Sequence, residues 1–236
     1  MRSINEKEDA LFEKWRGNPS FDRSFVLDGV VNPQEWEEQT CHILFLLKEA
    51  HGETWNGDLR RFLKDGAKSA TWNNIVRWTC GILTHKNLSN TRIDKATRIK
   101  WLNRAAVANV KKAGGKASTN TAQLLDFFVS SQSQELLANQ LNLYDKLDYI
   151  ICCGDGVKEC LCLALKSETL RNKWSSYKGI WLKEQSIEIL MPTSSLQAPA
   201  IINYYHPQCR KSAQYLYETL MQTVKCIEDL KKGSSL

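Results

Sequence analysis

Three polar residues of this sequence, Glu49, Asn109 and His206, each stand at the end of an apolar run, and their side chains could take part in hydrolysis. A carboxylate such as that of Glu49 can position or activate a water molecule. A neutral imidazole such as that of His206 can donate a hydrogen bond to an oxygen that gains negative charge. The amide of Asn109 carries donors and an acceptor, so it can recognise the edge of a ring bidentately.

The apolar runs before these residues are of the kind that forms strands buried on both faces of a sheet. We predict strands over residues 42–47, 105–110, 148–153 and 200–205. Ligands of open α/β sheets bind at the carboxyl ends of the strands, so the three side chains are placed to meet one. For Asn109 the alternative is an ordinary connection between a strand and a helix, since Gly114 and Gly115 follow it.

Helical patterns lie between the predicted strands. Apolar residues at helical spacing predict helices over residues 5–16, 70–83, 91–103, 157–165 and 213–230. Ser118, Thr119 and Asn120 offer caps for a further helix, and a capping box at Ser131 and Gln134 predicts another. Asp155 is expected to cap the helix after the third strand. Residues 178–182 and 186–191 suggest a hairpin or two short strands.

This alternation of strands and helices predicts an α/β fold, a three-layer α/β/α sandwich with a mostly parallel central sheet. We expect a single domain over residues 1–236, with an N-terminal helical extension at about 1–40. A chain of 236 residues is long enough for one large domain or two small ones. No linker in the sequence divides it convincingly.

The composition is that of an ordinary globular protein, with 42% hydrophobic and 25% charged residues. No apolar run approaches the length of a membrane span, and the first residues are polar, so we expect neither a span nor a signal peptide. A cytoplasmic location follows from that expectation. The net charge of +6 permits an anionic partner such as nucleic acid without requiring one.

The eight cysteines could indicate disulfides or a metal site. They contain no C-x-x-C pair and no zinc-type cluster with histidine, at positions 41, 80, 152, 153, 160, 162, 209 and 226. Reduced thiols that pack as small apolar side chains explain them better, and we expect no metal site.

Three segments, in chain order, resemble motifs of the uracil-DNA glycosylase superfamily: Lys48-Glu49-Ala50-His51-Gly52, Asn109-Val110-Lys111-Lys112 and Tyr205-His206-Pro207. They are most similar to the family-4 type, whose first motif is G-E-A-P-G, whose second motif is a strand ending in N-V-V-K, and which has a late H-P. The strand, glycine and helix at 148–165 resemble the third βα unit of the family. The resemblance spans about residues 42–215.

The sequence departs from the family at several positions of the first motif. His51 replaces the usual proline, Lys48 replaces the leading glycine, and Ala50 stands where the best-known uracil-DNA glycosylases carry a water-activating aspartate. The cysteines that hold an iron–sulfur cluster in family 4 have no counterparts here with suitable spacing. We therefore expect no cluster and no other cofactor.

The resemblance implies a DNA N-glycosylase, which hydrolyses the N-glycosidic bond of a flipped-out uracil or modified pyrimidine and leaves an abasic site. The catalytic candidates are Glu49, His206 and His51. The base-binding candidates are Asn109, Ala50, Gly52 and Trp55. The candidates for phosphate contacts are Lys111, Lys112, Lys116 and Arg210. The expected partner is DNA, with no membrane, and the expected state is a monomer.

Every one of these residues also has a structural alternative. Glu49 could be a solvated carboxylate or a salt-bridge partner, His206 a turn residue, and His51 a loop cap. Trp55 could anchor a loop or the core, and Arg210 could lie in the first turn of the last helix. The lysines could form an ordinary solvated loop.

Two other functions stay open. The same fold could bind DNA or a nucleotide without cleaving it, or the chain could be a nucleotide-processing enzyme of an unrelated α/β fold. Within the glycosylase hypothesis, the substrate could be a larger base such as a phage-modified cytosine, which would make the protein a defence enzyme.

Overall fold

The computed structural model of the chain describes residues 2–21, 24–52, 57–115, 120–174, 176–193 and 198–233. These residues form an α/β fold of ten α-helices around one mixed sheet of seven strands. The helices are α1 (Ile4–Trp15), α2 (Pro33–Glu37), α3 (Leu59–Lys64), α4 (Ala70–Thr84), α5 (Lys95–Leu102), α6 (Thr121–Ser130), α7 (Ser133–Asn142), α8 (Val157–Leu165), α9 (Glu168–Arg171) and α10 (Ala213–Gly233). The strands are β1 (Gly29–Val30), β2 (Ile43–Leu47), β3 (Ala106–Asn109), β4 (Tyr149–Cys153), β5 (Tyr177–Leu182), β6 (Ile187–Pro192) and β7 (Ala200–Tyr204).

The strands are arranged in the order β1-β3-β2-β4-β7-β6-β5. The central strands β3, β2, β4 and β7 are parallel to one another. The outer strands β1, β6 and β5 each run antiparallel to their neighbours. The prediction of a mostly parallel sheet therefore applies only to its centre, because the hairpin β5–β6 joins one edge and the short strand β1 joins the other.

The central strands are buried on both faces, as their continuous apolar runs predict. Successive side chains of a strand point to opposite faces, and in β2 they enter two different apolar clusters. Ile43, Phe45 and Leu47 pack with residues of α4, α5 and α10, whereas Leu44 and Leu46 pack with residues of α6, α7 and α8. The sheet is thus held rigidly between two apolar cores.

The predicted strands and long helices are confirmed, but two predicted helix caps are wrong. Helix α7 begins two residues after Ser131, whose hydroxyl instead donates to the carbonyl of Phe127 at 2.6 Å. The N-cap of α8 is Gly156, at a φ of +84°, so the carboxylate of Asp155 does not cap this helix. Of the three candidate caps at 118–120, Asn120 caps α6, since its side chain accepts from two backbone N–H groups of that helix. Ser118 and Thr119 lie outside the described residues.

The order of the parallel strands creates a switch point beside β2. The chain passes from β2 to β3 on one side of it and later adds β4 on the other side. Ligands of open α/β sheets bind in the crevice outside the carboxyl ends of strands at such a point. In the described part of the chain, no helix has both the length and the apolar character that crossing a membrane requires.

Candidate active site

A cleft of about 480 Å³ lies at the carboxyl ends of β2, β4 and β7, next to the switch point. The strand ends contribute Lys48, Gly154, Asp155 and His206 to its lining. The other wall is the hairpin β5–β6, which contributes Trp181 and Glu188. The cleft therefore joins three charged side chains, a histidine and an exposed aromatic ring.

His206 is held as a neutral hydrogen-bond donor. Its Nδ1 atom accepts the backbone N–H of Gln208 at 3.1 Å, so the ring hydrogen of the neutral form is on Nε2. Burial lowers the pKa of His206, and the positive charge of Lys48 lowers it further. The imidazole is therefore neutral at physiological pH.

Gly154 allows the side chains of Lys48 and His206 to meet at the end of β4. It has a φ of +101°, which a residue with a side chain rarely adopts. A Cβ atom at this position would lie 3.3 Å from the Cβ of His206 and 3.6 Å from the Cε of Lys48. Both side chains thus pack against the same glycine.

Glu49 follows Lys48 but does not line the cleft. Its side chain is 6% exposed, and its Oε2 atom accepts from the Nζ of Lys111 at 2.8 Å. The carboxylate also packs so closely on Gly115 that a Cβ there would lie 1.8 to 2.1 Å from its atoms. Glu49 is therefore a salt-bridge partner, as its structural alternative proposed. The ion pair joins Glu49 to Lys111, and we predicted both residues to be functional.

Backbone hydrogen bonds connect the segment after β2 to the segment after β3. The N–H of Gly115 donates to the carbonyl of Ala50, and the N–H of Gly52 donates to the carbonyl of Gly115, both at 2.9 Å. Gly52 has a φ of +108°, and His51 between these bonds has an exposed side chain. The candidates Ala50 and Gly52 thus hold the first-motif segment in place through their backbone.

Asn109 is the last residue of β3 and lies opposite Leu47 of β2. Its backbone N–H and its Nδ2 group both donate to Oδ2 of Asp28, at 2.8 and 3.2 Å. Its Oδ1 atom is buried and has no hydrogen-bond partner among the described residues. Asn109 is 1% exposed and does not line the cleft, so this acceptor is a buried polar atom beside the cleft and not part of its lining.

Lys112 is a core residue, so the prediction that it contacts phosphate is wrong. Its side chain is 1% exposed, and its Nζ donates to Oδ1 of Asp28 at 2.6 Å and to Oε1 of Gln140 at 2.7 Å. Burial lowers the pKa of Lys112, and the carboxylate of Asp28 opposes this shift. Sequence reasoning missed Asp28 because it precedes Lys112 by 84 residues.

The hydrogen bonds around Asp28 continue to the N-terminal helix. Gln140 donates to the hydroxyl of Tyr144 at 3.2 Å, and that hydroxyl donates to the buried carboxylate of Glu8 at 2.7 Å. Arg60 donates to the other oxygen of Glu8 at 3.1 Å. Burial raises the pKa of Glu8 to about 7, against the opposing charge of Arg60. We call the chain of residues from Glu8 to Asp28 the buried polar network.

The remaining candidates lie nearer the surface or outside the described residues. Arg210 is exposed and precedes α10, so it is not in the first turn of that helix. Lys111 is half-buried, and its Nζ lies 5.0 Å from the centre of the Phe127 ring as well as beside Glu49. Trp55 and Lys116 lie outside the described residues.

The carboxyl edge of the sheet thus brings all three leading candidates to the same side of the molecule. His206 lines the cleft, while Glu49 and Asn109 lie at the ends of β2 and β3 beside it. Lys48 and Asp155 line the cleft as well, and sequence reasoning gave them no role there. Their positions at predicted strand ends were the available signal.

Neither a protein-family model nor a curated protein matches the chain. The interpretation of the site therefore depends on its geometry.

Proposed function

We propose that the protein is a DNA N-glycosylase, which removes a flipped-out uracil or modified pyrimidine and leaves an abasic site. The observation that carries this proposal is the neutral His206 in a cleft at the switch point of the sheet. Breaking an N-glycosidic bond develops negative charge on the departing base. An Nε2–H donor in a site with little water stabilises that charge without giving up its proton.

Carboxylates at the strand ends supply the other half of the reaction. The sugar develops positive charge as the base departs, and a carboxylate can stabilise it and position the attacking water. We assign this role to Glu49, which lies just after β2 beside the cleft, with Asp155, which lines the cleft, as a second candidate carboxylate. In this proposal the ion pair with Lys111 fixes the orientation of the Glu49 carboxylate.

Recognition of the base is assigned to Asn109 and an aromatic surface. The unpaired Oδ1 of Asn109 would accept an N–H group from the edge of the pyrimidine. Trp181 lines the cleft with its side chain 59% exposed, so it is available for stacking with the flipped base. A cleft of about 480 Å³ is in the range for drug-sized ligands, so it has room for a base that carries a substituent, such as a phage-modified cytosine.

The proposal also includes the architecture and the partner that the resemblance implies. The apolar clusters on both faces of the sheet support a three-layer α/β/α sandwich of the uracil-DNA glycosylase type. The net charge of +6 and the exposed Arg210 support DNA as the partner of a cytoplasmic enzyme.

A second candidate function is a DNA- or nucleotide-binding module without activity. The observation that favours it is that Glu49 is paired with Lys111 and does not line the cleft. Such a module would bind the same oligonucleotides as the enzyme but would release no base.

The test is single-turnover cleavage beside equilibrium binding, with oligonucleotides and phage DNAs that carry different pyrimidines. Alkali then converts each abasic site into a strand break. We expect release of at least one base, and we expect His206→Ala to slow it by roughly 100-fold while binding is retained. The control is His85→Asn, at an exposed histidine that does not line the cleft and whose φ of 59° asparagine tolerates.

Release of no base by the parent protein, together with intact DNA binding, would favour the binding module. Equal rates for His206→Ala and the parent would remove His206 from the mechanism.

A further inference from the structure

We propose that the protein also acts on the abasic sugar, as a lyase whose nucleophile is the amine of Lys48. This inference rests on the proposed function, since an abasic site is the product that base release leaves in the cleft. It adds a second reaction, cleavage of the DNA strand on the 3′ side of that sugar. An open-chain abasic sugar carries an aldehyde, and amines form imines with aldehydes.

The first observation is the position of Lys48. It is the residue directly after β2, it is half-buried, and it lines the cleft together with His206 and Asp155. The switch point lies between the ends of β2 and β4, so Lys48 and Gly154 flank the place where a ligand of this sheet is expected. The amine therefore belongs to the same space as the proposed base-releasing group.

The second observation is electrostatic. The charge of Lys48 contributes to the lowered pKa of His206, and the Cε of Lys48 packs beside His206 on Gly154. A sugar whose base has just been stabilised by His206 is then within reach of the Lys48 side chain. In the motif that this segment resembles, the position of Lys48 is a glycine, so the amine is a departure of this chain from that motif.

The reaction begins with loss of a proton from the Lys48 ammonium group, and the carboxylate of Asp155 in the same cleft can accept it. The amine lone pair forms a bond to C1′ of the aldehyde, and the electron pair of the C–O π bond moves to the oxygen. That oxygen takes one proton from the nitrogen and one back from Asp155, and it leaves as water. The product is a protonated imine. No oxidant or reductant is needed in this step.

Elimination follows from the imine. A base, Asp155 or water, removes a proton from C2′, and the electron pair of that C–H bond forms a double bond between C2′ and C3′ as the C3′–O bond breaks. The 3′-phosphate leaves with the electron pair of the broken bond. Water then hydrolyses the imine, which restores Lys48 and releases an unsaturated aldehyde on the 5′ fragment.

The other lysines near the strand ends are less suited to this role. Lys111 and Lys112 follow β3, which lies on the opposite side of β2 from β4 and Gly154. Neither of the two lines the cleft.

The experiment uses the full chain and an oligonucleotide with one abasic site made beforehand, so it does not depend on base release by this protein. Sodium borohydride reduces an imine to a stable amine and links the protein to the DNA. We expect a covalent adduct that mass spectrometry of peptides maps to Lys48, and strand cleavage when borohydride is omitted. Lys48→Met and Lys48→Arg should lower both signals at least 10-fold.

The control is Lys166→Met, at an exposed lysine just after the C-terminal end of α8, the end away from Asp155. It should form the adduct as the parent does. Lys48→Arg keeps the positive charge, and if Lys48→Met fails to fold, Lys48→Arg and the mapped adduct of the parent decide the question.

The absence of an adduct with the parent protein would overturn the proposal, as would an adduct that maps to another amine or is undiminished in Lys48→Arg. Adduct formation without release of any base would reject the proposed glycosylase and keep the lyase. Base release without an adduct would keep the proposed glycosylase and reject the lyase.

Discussion

His206 shows how two neighbours determine the chemical state of one residue. The backbone N–H of Gln208 occupies Nδ1 and leaves the hydrogen on Nε2, while burial and the charge of Lys48 oppose protonation. A histidine in this state can donate a hydrogen bond but carries no charge. In the reaction that we propose, its effect on a departing base would depend on the ring staying neutral.

We predict that His206 titrates below the ordinary histidine pKa of 6.5 and that Lys48→Met raises its pKa. The direction follows because a nearby cation disfavours a second positive charge, so removing the cation makes protonation easier. NMR titration of the imidazole measures both values, with Lys166→Met as the control that leaves the pKa unchanged. The acid limb of base release should move to higher pH in Lys48→Met. A His206 that titrates at or above 6.5 in the parent would contradict this account.

At the scale of secondary structure, the connection after β3 contains two lysines with opposite surroundings. Lys111 reaches Glu49 near the surface, whereas Lys112 points into the core and is held by Asp28 and Gln140. Adjacent residues at a strand end face opposite sides, so only one of them can reach solvent easily. The sequence shows a run of charges, and the sheet separates that run into a loop residue and a core residue.

We predict that Lys112→Met lowers the free energy of unfolding by roughly 3 to 5 kcal/mol, because it leaves the buried carboxylate of Asp28 without its cation. The exposed control Lys166→Met should change the free energy by no more than about 0.5 kcal/mol. Denaturant titration of both variants gives the comparison. If Lys112→Met lowers the free energy of unfolding by no more than the control does, Lys112 does not lie in the core.

The elements and the strand-end candidates could be predicted because they depend on local patterns. The apolar run 42–47 and the polar residue His206 after the last central strand are signals within a few residues. The contact between Asp28 and Lys112 joins residues 84 positions apart, and no local pattern contains it. Trp181 lies in β5, which pairs with β6, and the pairing of β6 with β7 attaches this hairpin to the central sheet. The cleft wall that contains Trp181 likewise depends on contacts between distant residues. Sequence therefore indicated where the site lies but not which side chains enclose it.

At the scale of the whole molecule, the buried polar network connects the N-terminal helix to the carboxyl edge of the sheet. Glu8 of α1 accepts from the N–H of Val30 in β1, from Arg60 of α3 and from Tyr144 after α7. A Cβ atom at Gly29 would lie 2.0 Å from this carboxylate, so the backbone closes tightly around it. The N-terminal segment is thus part of the packed structure that supports Asn109, although we expected an extension to the domain.

The raised pKa of Glu8 makes the stability of the whole fold depend on pH. The pKa rises from 4.5 to about 7 because burial penalises the charged form, so the folded state binds this proton more tightly than the unfolded state. The stabilisation is fully present below about pH 4.5 and is lost as the pH rises through 7. The shift corresponds to about 3 kcal/mol.

We predict that the parent protein loses stability relative to Glu8→Gln as the pH rises from 5 to 8, because glutamine cannot ionise in the buried site. Denaturant titrations of both proteins at a series of pH values measure the difference, and other titrating groups cancel in it. Glu13→Gln, at an exposed position of the same helix, should show a difference that is nearly constant with pH. A pH-independent difference for Glu8→Gln, or a gain by the parent at higher pH, would mean that Glu8 is ionised throughout this range. The buried polar network would then hold a permanent ion pair with Arg60, and the N-terminal helix would stay docked equally well at every pH tested.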